Sequence, residues 1–330
     1  MAGIRIAKVA KATKAVKSSG PTLPGFHKEW NGKGGFKPGN KYGAKSHGDA
    51  APVARQGRLD FSARPEPVKI PDSPKIPNVN FENPKYREYA KSQEKYNKEM
   101  AEWASKRHGK EPSVYLEHAG KSLKDIVDAG DHYIRIESKN LEKVLEEGRF
   151  KSQFETRRSN GSYSPSTRMD VESRKIGVGE SVTHEQRPIY GYVSGKDFSL
   201  FGKDSELAVS NYGEVSVKLK PSIRDRATVT AGDSLGAEVA ARPANNPDHL
   251  AADGFLRRLH DYHDDSKLTP HEKLANFAGA GGFSYIESQY HGGVSVHDID
   301  EVAFRRKPSP AIENLLKLHG IKHRIIRANS

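Results

Sequence analysis

Tyr285-Ile286-Glu287-Ser288-Gln289-Tyr290-His291-Gly292 has the alternation of a β-strand with polar residues on one side. Side chains alternate sides along a strand, so Tyr285, Glu287 and Gln289 fall on one face and Ile286, Ser288 and Tyr290 on the other. A carboxylate and an amide pointing the same way are costly to bury unless they meet something polar. The strand runs into the pair Gly292-Gly293, which favours close approach of another backbone or a ligand. Glu287 and Gln289 are therefore the leading candidates for a ligand site.

Working outward, the neighbouring segments read as short strands and helices. On the N-terminal side the hydrophobic periodicity gives a helix from Pro84 to about His108, with Tyr86, Tyr89, Tyr96, Met100 and Trp103 as its apolar stripe. A second helix runs from about Val114 to Ala129 and stops at Gly130. His132 to Glu137 reads as a strand, and the next helix turns Leu141, Val144 and Leu145 inward before Gly148. Residues 156–186 are polar and are expected to form a long loop. Ile189 to Val193, Tyr212 to Lys220 and Ala227 to Thr230 read as further strands. Helices are expected over Asp248 to Tyr262 and from Thr269-Pro270, the latter with a capping-box spacing. After the Glu287 strand come a strand at Ile299 to Phe304, a helix from Pro310 to His319 and a strand at Ile321 to Ile326. This order gives an α+β fold with a split or twisted, mostly antiparallel sheet. The organisation expected is a Gly/Pro-rich tail over residues 1–80, a helical lead-in over 81–130 and a mixed domain over 131–330.

Charge is unevenly spread. Residues 1–60 hold twelve lysines and arginines against three acids, a surplus of nine, so of the net +12 the remaining residues carry only three. Residues 18–80 are punctuated by Gly and Pro and hold too little apolar surface to offset the entropy of ordering, which marks a disordered basic tether. Phe26, Trp30, Phe36 and Tyr42 interleave with its cations, a pattern suited to nucleic acid or to a partner such as a capsid. The absence of cysteine excludes disulfides, thiolate metal sites and a cysteine nucleophile. No stretch approaches the 18 or so consecutive apolar residues of a membrane span, and the N-terminus lacks the apolar core of a signal peptide. A cytoplasmic protein, bacterial or in a host cell, or a virion-associated one is the expectation. His260-Asp261-Tyr262-His263-Asp264-Asp265 lacks a third-ligand pattern, so no metal site is expected there. Gly279-Ala280-Gly281-Gly282 lacks the strand and helix of a phosphate loop.

Several strings carry a family resemblance: Tyr133-Ile134-Arg135, LEKVLEEG (141–148), GRFKSQFET (148–156), RPIYGYV (187–193), RATVTAGDS (226–234) and YIESQYHGG (285–293). Over about residues 130–305 the chain resembles the ADP-ribosyltransferase superfamily, and more narrowly a bacterial and phage toxin-like domain. The resemblance implies NAD as substrate and transfer of ADP-ribose to a protein or nucleic-acid acceptor by a toxin or effector. It implies catalytic roles for Glu287, Gln289 and Arg135. Breaking the nicotinamide–ribose bond passes through an oxocarbenium-like state that a carboxylate beside the ribose stabilises, and a guanidinium fork suits the pyrophosphate. Arg135, Arg187, Tyr190, Thr228 and Ser234 are the implied NAD-binding residues, with Tyr192 and Thr230 as neighbours of the same kind. Arginine-modifying members place an acid where this chain has Gln289, so either Glu287 alone serves as the acid or the domain binds NAD without transferring it. The alternative from another class is a phage virion-associated or nucleic-acid-binding protein whose folded domain is inactive. A nuclease or hydrolase built on the histidines has only composition behind it.

Overall fold

In a computed structural model, described over residues 75–158, 164–194, 209, 212–235, 240–247 and 285–326, the elements alternate as an α+β chain. They are α1 (Pro84–His108), α2 (Pro112–Ala129), β1 (Asp131–Ile136), α3 (Ser138–Glu147), α4 (Gln153–Thr156) and α5 (Pro165–Val171). Then come β2 (Ile189–Ser194), β3 (Val215–Leu219), β4 (Ala227–Thr230), β5 (Arg242–Pro243), β6 (Ile286–Tyr290), β7 (Ile299–Phe304), α6 (Pro310–Leu318) and β8 (Lys322–Ile325). The strands form one sheet in the order β5-β4-β6-β2-β1-β3-β7-β8. Every pairing is antiparallel except β7 with β8, which α6 connects.

Pairing register divides the sheet into two chemically different faces. Thr230, Glu287, Tyr192, Tyr133 and Lys218 lie in one cross-strand row. Thr228, Gln289 and Tyr190 form the next, and Arg135 lies beside Ser216 on the same face. The alternate residues, Ile134, Val193, Val217, Val229, Ile286 and Val302, face the opposite way and join Leu123, Ile126 and Val127 of α2, Leu141, Val144 and Leu145 of α3, and Ile312 and Leu316 of α6 in the main core. Period-two alternation thus sends the aliphatic half of each strand under the helices and leaves an aromatic and polar half above. Gly191 lies on the core face. A Cβ there would stand 2.1 Å from the Tyr133 carbonyl oxygen and 2.7 Å from the Tyr290 ring. Its absence lets Tyr290 cross beneath β2 and donate its hydroxyl to that carbonyl at 3.1 Å.

The helices follow their local signals. Asn83 caps α1, Pro84 opens it, and Gly109 ends it with φ 78°. The buried stripe is Tyr86, Ala90, Tyr96, Met100, Ala101 and Ala104. α1 packs against α2, and its Ala90 clusters with Tyr86 and Ala240, whereas Tyr89, expected in the stripe, carries the Arg174 guanidinium 5.1 Å above its ring. α1 and α2, expected as a lead-in, belong to the same compact unit as the sheet, Ile70–Ser330. The expected loop over residues 156–186 is a correction. Ser164 caps α5, Pro165 opens it, and a π-helical turn at Glu172–Ile176 continues it with Glu172, Ser173 and Lys175 buried. Of the disordered tail expected over residues 1–80, the last six are ordered instead, with Ile76 buried and Val79 bridged to Val178. Residues 1–74, the helices at Asp248 to Tyr262 and from Thr269, the histidine cluster and Gly279-Ala280-Gly281-Gly282 lie outside the described residues.

Candidate functional site

Glu287 occupies the middle of the polar face, between β4 and β2. It is 5% exposed. Its Oε1 accepts from the Gln289 side-chain amide at 2.8 Å and from the Ser234 backbone N–H at 3.4 Å, and its Oε2 from the Tyr285 hydroxyl at 3.4 Å. Burial, followed by repulsion from Asp233, raises its carboxyl to about 7, against the Ser234 hydrogen bond, Arg168 and Gln289, which favour the charged form.

Gln289 holds that carboxylate in place. Its Oε1 accepts from the Thr228 hydroxyl at 2.7 Å, and its Nε2 also donates to the Thr230 hydroxyl oxygen at 3.2 Å. Thr228 Oγ1 lies 2.9 Å from His291 Nε2, and the Thr230 hydroxyl donates to the Gly232 carbonyl at 2.8 Å. Thr228, Thr230 and Gln289 are all fully buried. Both ends of the amide are therefore engaged inside the sheet.

A cavity of about 1080 Å³ opens over this face, lined by Arg135, Arg149, Arg168, Tyr190, Asp233 and Glu287 among others. That volume is slightly above the usual range of small-molecule sites. Arg168 is 6% exposed, and its guanidinium lies 4.7 Å over the Tyr190 ring. The Tyr190 hydroxyl in turn donates to Glu172 Oε1 at 2.9 Å, which fixes the ring from behind. Arg135 is anchored by its Nε, which donates to the Gly213 carbonyl at 2.8 Å. Tyr192 stacks on Tyr133 with centroids 5.5 Å apart, and its hydroxyl lies 2.9 Å from Ser216 Oγ. Arg149 is clasped by Glu155, the capping-box acid of α4, at 3.1 and 2.5 Å.

The structure brings Arg135, Tyr190, Tyr192 and Glu287 to one cavity. It does not bring the other expected residues there. Gln289 and Thr228 are bound up in the sheet beneath Glu287, which corrects a direct role for either in touching a ligand. Ser234 reaches Glu287 through its backbone N–H rather than its hydroxyl. Arg187 is 2% exposed and turned away, its Nη1 donating to Glu172 at 2.8 Å and its Nη2 to the Glu180 carbonyl at 3.0 Å, with Phe154 under the guanidinium. A buried carboxylate claims that cation as an ion-pair partner. Arg168 lines the cavity although the strand and motif reading passed over it, and Asp233 lines it from the Gly232-Asp233-Ser234 turn that closes the RATVTAGDS string. The signal for the first was present in Ser164-Pro165, a helix start that places Arg168 one turn in.

No protein-family model matches the chain. It is 31% identical over 187 residues to the "Gene 2 protein" of Mycobacterium phage D29, a match covering 56% of this chain and 68% of that protein. The chain belongs to the gene 2 protein family of mycobacteriophages. A second member, from Mycobacterium phage L5, is 30% identical over 190 residues, with the same shares of each chain. Among solved structures the chain is similar to Thermus sp. 2.9 DarT in complex with ADP-ribosylated ssDNA, at a TM-score of 0.37 and 10% identity over 61% of this chain and 95% of that one. It is also similar to the same protein in complex with NAD+, with TM-score 0.33, 11% identity and shares of 60% and 96%. Thermosipho africanus DarTG in complex with ADP-ribose gives 0.32, 14%, and shares of 60% and 49%.

Proposed function

We propose that the chain is an ADP-ribosyltransferase that cleaves NAD and passes ADP-ribose to a macromolecular acceptor. One observation carries this reading: a single buried carboxylate, Glu287, shares a large cavity with two buried guanidiniums, Arg135 from the same face of the sheet and Arg168 from α5. Cleavage of the bond between nicotinamide and C1′ of the ribose develops positive charge on the sugar, and an ionised Glu287 opposes it at close range. Gln289 and the Ser234 N–H orient that carboxylate. Arg168 and Arg135 present planar donor forks of the kind that bind a pyrophosphate. Tyr190, held by Glu172 and Arg168, offers an aromatic wall for the nicotinamide ring. With Gln289 engaged in the sheet, Glu287 is the acid this reading relies on.

The mouth of the cavity carries the exposed cations Lys139, Lys143, Lys151, Arg157 and Arg158. Glu137 and Glu147 pair with Lys139 and Lys151. The surplus favours a polyanionic acceptor, and nucleic acid is the acceptor class proposed. Membership in a phage family makes a macromolecule of the bacterial host the natural target.

The test is nicotinamide release from NAD by the purified protein. Glu287→Ala is expected to lower it by about 100-fold or more, the scale of removing a group that stabilises transition-state charge. Arg168→Ala is expected to abolish the rise in melting temperature that NAD gives the native protein. Equal turnover in wild type and Glu287→Ala would discard the assignment.

A further inference from the structure

A transfer reaction of this kind has two demands on acids: one faces the ribose, and another receives the proton of the incoming nucleophile. β6 brings only one carboxylate to the cavity, because its other polar residue on that face, Gln289, is an amide held in the threonine network. Of the other acids lining it, Glu137 pairs with Lys139, Glu147 with Lys151 and Glu155 with Arg149. Among the described residues, Asp233 is in no such pair. It sits on the turn after β4, where Gly232 takes φ 109°, a conformation that favours glycine.

That turn is closed on β4 at one end and bonded to Glu287 at the other. The Thr230 hydroxyl donates to the Gly232 carbonyl at 2.8 Å, and the Ser234 N–H donates to Glu287 itself at 3.4 Å. Asp233 Oδ1 accepts from the Leu235 N–H at 2.8 Å, which closes an Asx turn and fixes the side chain. Asp233 is thus held at a set position beside Glu287, and its charge acts on both Glu287 and the cavity residue Tyr285.

We propose that Asp233 is the general base of the site, taking the proton of the attacking nucleophile while Glu287 faces the ribose. This deepens the NAD reading and rests on it. The bond between C1′ and the nicotinamide nitrogen breaks with its electron pair leaving on nicotinamide. The nucleophile's oxygen or nitrogen bonds to C1′, and its proton passes to the Asp233 carboxylate and then to solvent. With water as nucleophile the products are nicotinamide, ADP-ribose and one proton.

The experiment uses sodium azide, a nucleophile that arrives without a proton and so needs no base. Nicotinamide release from NAD is measured for the full-length wild type, Asp233→Asn, Asp233→Glu and Glu287→Gln, with and without azide. Asp233→Asn is expected to slow hydrolysis by about 100-fold or more, and azide to restore nicotinamide release with formation of ADP-ribosyl azide. Asp233→Glu is expected to recover part of the hydrolysis without azide, and azide is expected to leave Glu287→Gln inactive. An Asp233→Asn protein that hydrolyses NAD at the wild-type rate overturns the proposal, as does a slow one that azide does not restore while NAD still raises its melting temperature. A wild type that releases no nicotinamide overturns the NAD reading itself and removes the reaction in which Asp233 would act.

Discussion

Replacing Glu287 by glutamine should stabilise the protein while silencing it, and the gain should depend on pH in a specific direction. The carboxyl, ordinarily near 4.5, titrates at about 7 in the native state because the site is buried and Asp233 repels its charge. An acid whose native value lies above its unfolded value binds its proton more tightly when folded. No penalty is present below the unfolded value, and the penalty grows as pH rises from 4.5 to 7. Each whole step in that interval is 1.36 kcal/mol, so at pH 8 the native state carries a cost of about 3 kcal/mol that an uncharged amide does not. At pH 5 the cost is less than about 1 kcal/mol. Glutamine keeps an oxygen to accept from Gln289 and the Ser234 N–H, so the substitution changes charge with little change in packing. Denaturant unfolding of wild type and Glu287→Gln at both pH values is the assay, with a melting-temperature gain of roughly 5–12 °C at pH 8 as a second readout. A gain of equal size at both values, or none at pH 8, would refute the argument that a buried, repelled charge is what the wild type tolerates for its chemistry.

Burial pushes His132 and His291 down to about 3, so both remain neutral in the native state and stability should fall as pH drops below their unfolded value of 6.5. Between 6.5 and 4.5 these two groups contribute about 2.7 kcal/mol per pH unit, Glu287 opposes with half of that, and the Glu287→Gln protein should therefore show the steeper acid limb; parallel limbs would count against it. Arg187→Leu strands the buried Glu172 charge and should cost about 3–5 kcal/mol in denaturant unfolding, an outcome that an unchanged midpoint would exclude. Gly191→Ala forces a Cβ into the Tyr133 carbonyl and the Tyr290 ring and should cost about 1–3 kcal/mol, read as a lower melting temperature.

The elements that local chemistry specifies were legible in the sequence. The β7 strand, the stop of α3 at Gly148 and the proline start of α6 all follow from periodicity and caps, which involve residues within one or two turns of each other. Alternation along β6 also placed Glu287 and Gln289 on one face correctly. What it could not convey was depth: both residues face the same way, yet one reaches the cavity and the other is held by two threonines of β4. The segment from Ser164 to Gln186 misled for a related reason. Arg168, Glu172 and Lys175 look like solvated polar residues, and only partners outside their own helix, Tyr190 and Arg187 among them, make their burial tolerable. Arg187 and Arg168 are the same residue type, and what separates them is Glu172, which pairs with Arg187 and holds Tyr190 beneath Arg168.

β6 leaves no position idle. Ile286 and Tyr290 seal the interior, Ser288 bonds His132, Glu287 faces the cavity, and Gln289 steadies it. Such a strand has little room to drift, since an exchange at one site disturbs either folding or chemistry. Variation is tolerated instead at the periphery, where Lys143, Arg157 and Arg158 stand in solvent and are replaceable at small energetic cost. Under the proposed transfer reaction, relatives that differ there while keeping the central strand would share one reaction and diverge in what they modify.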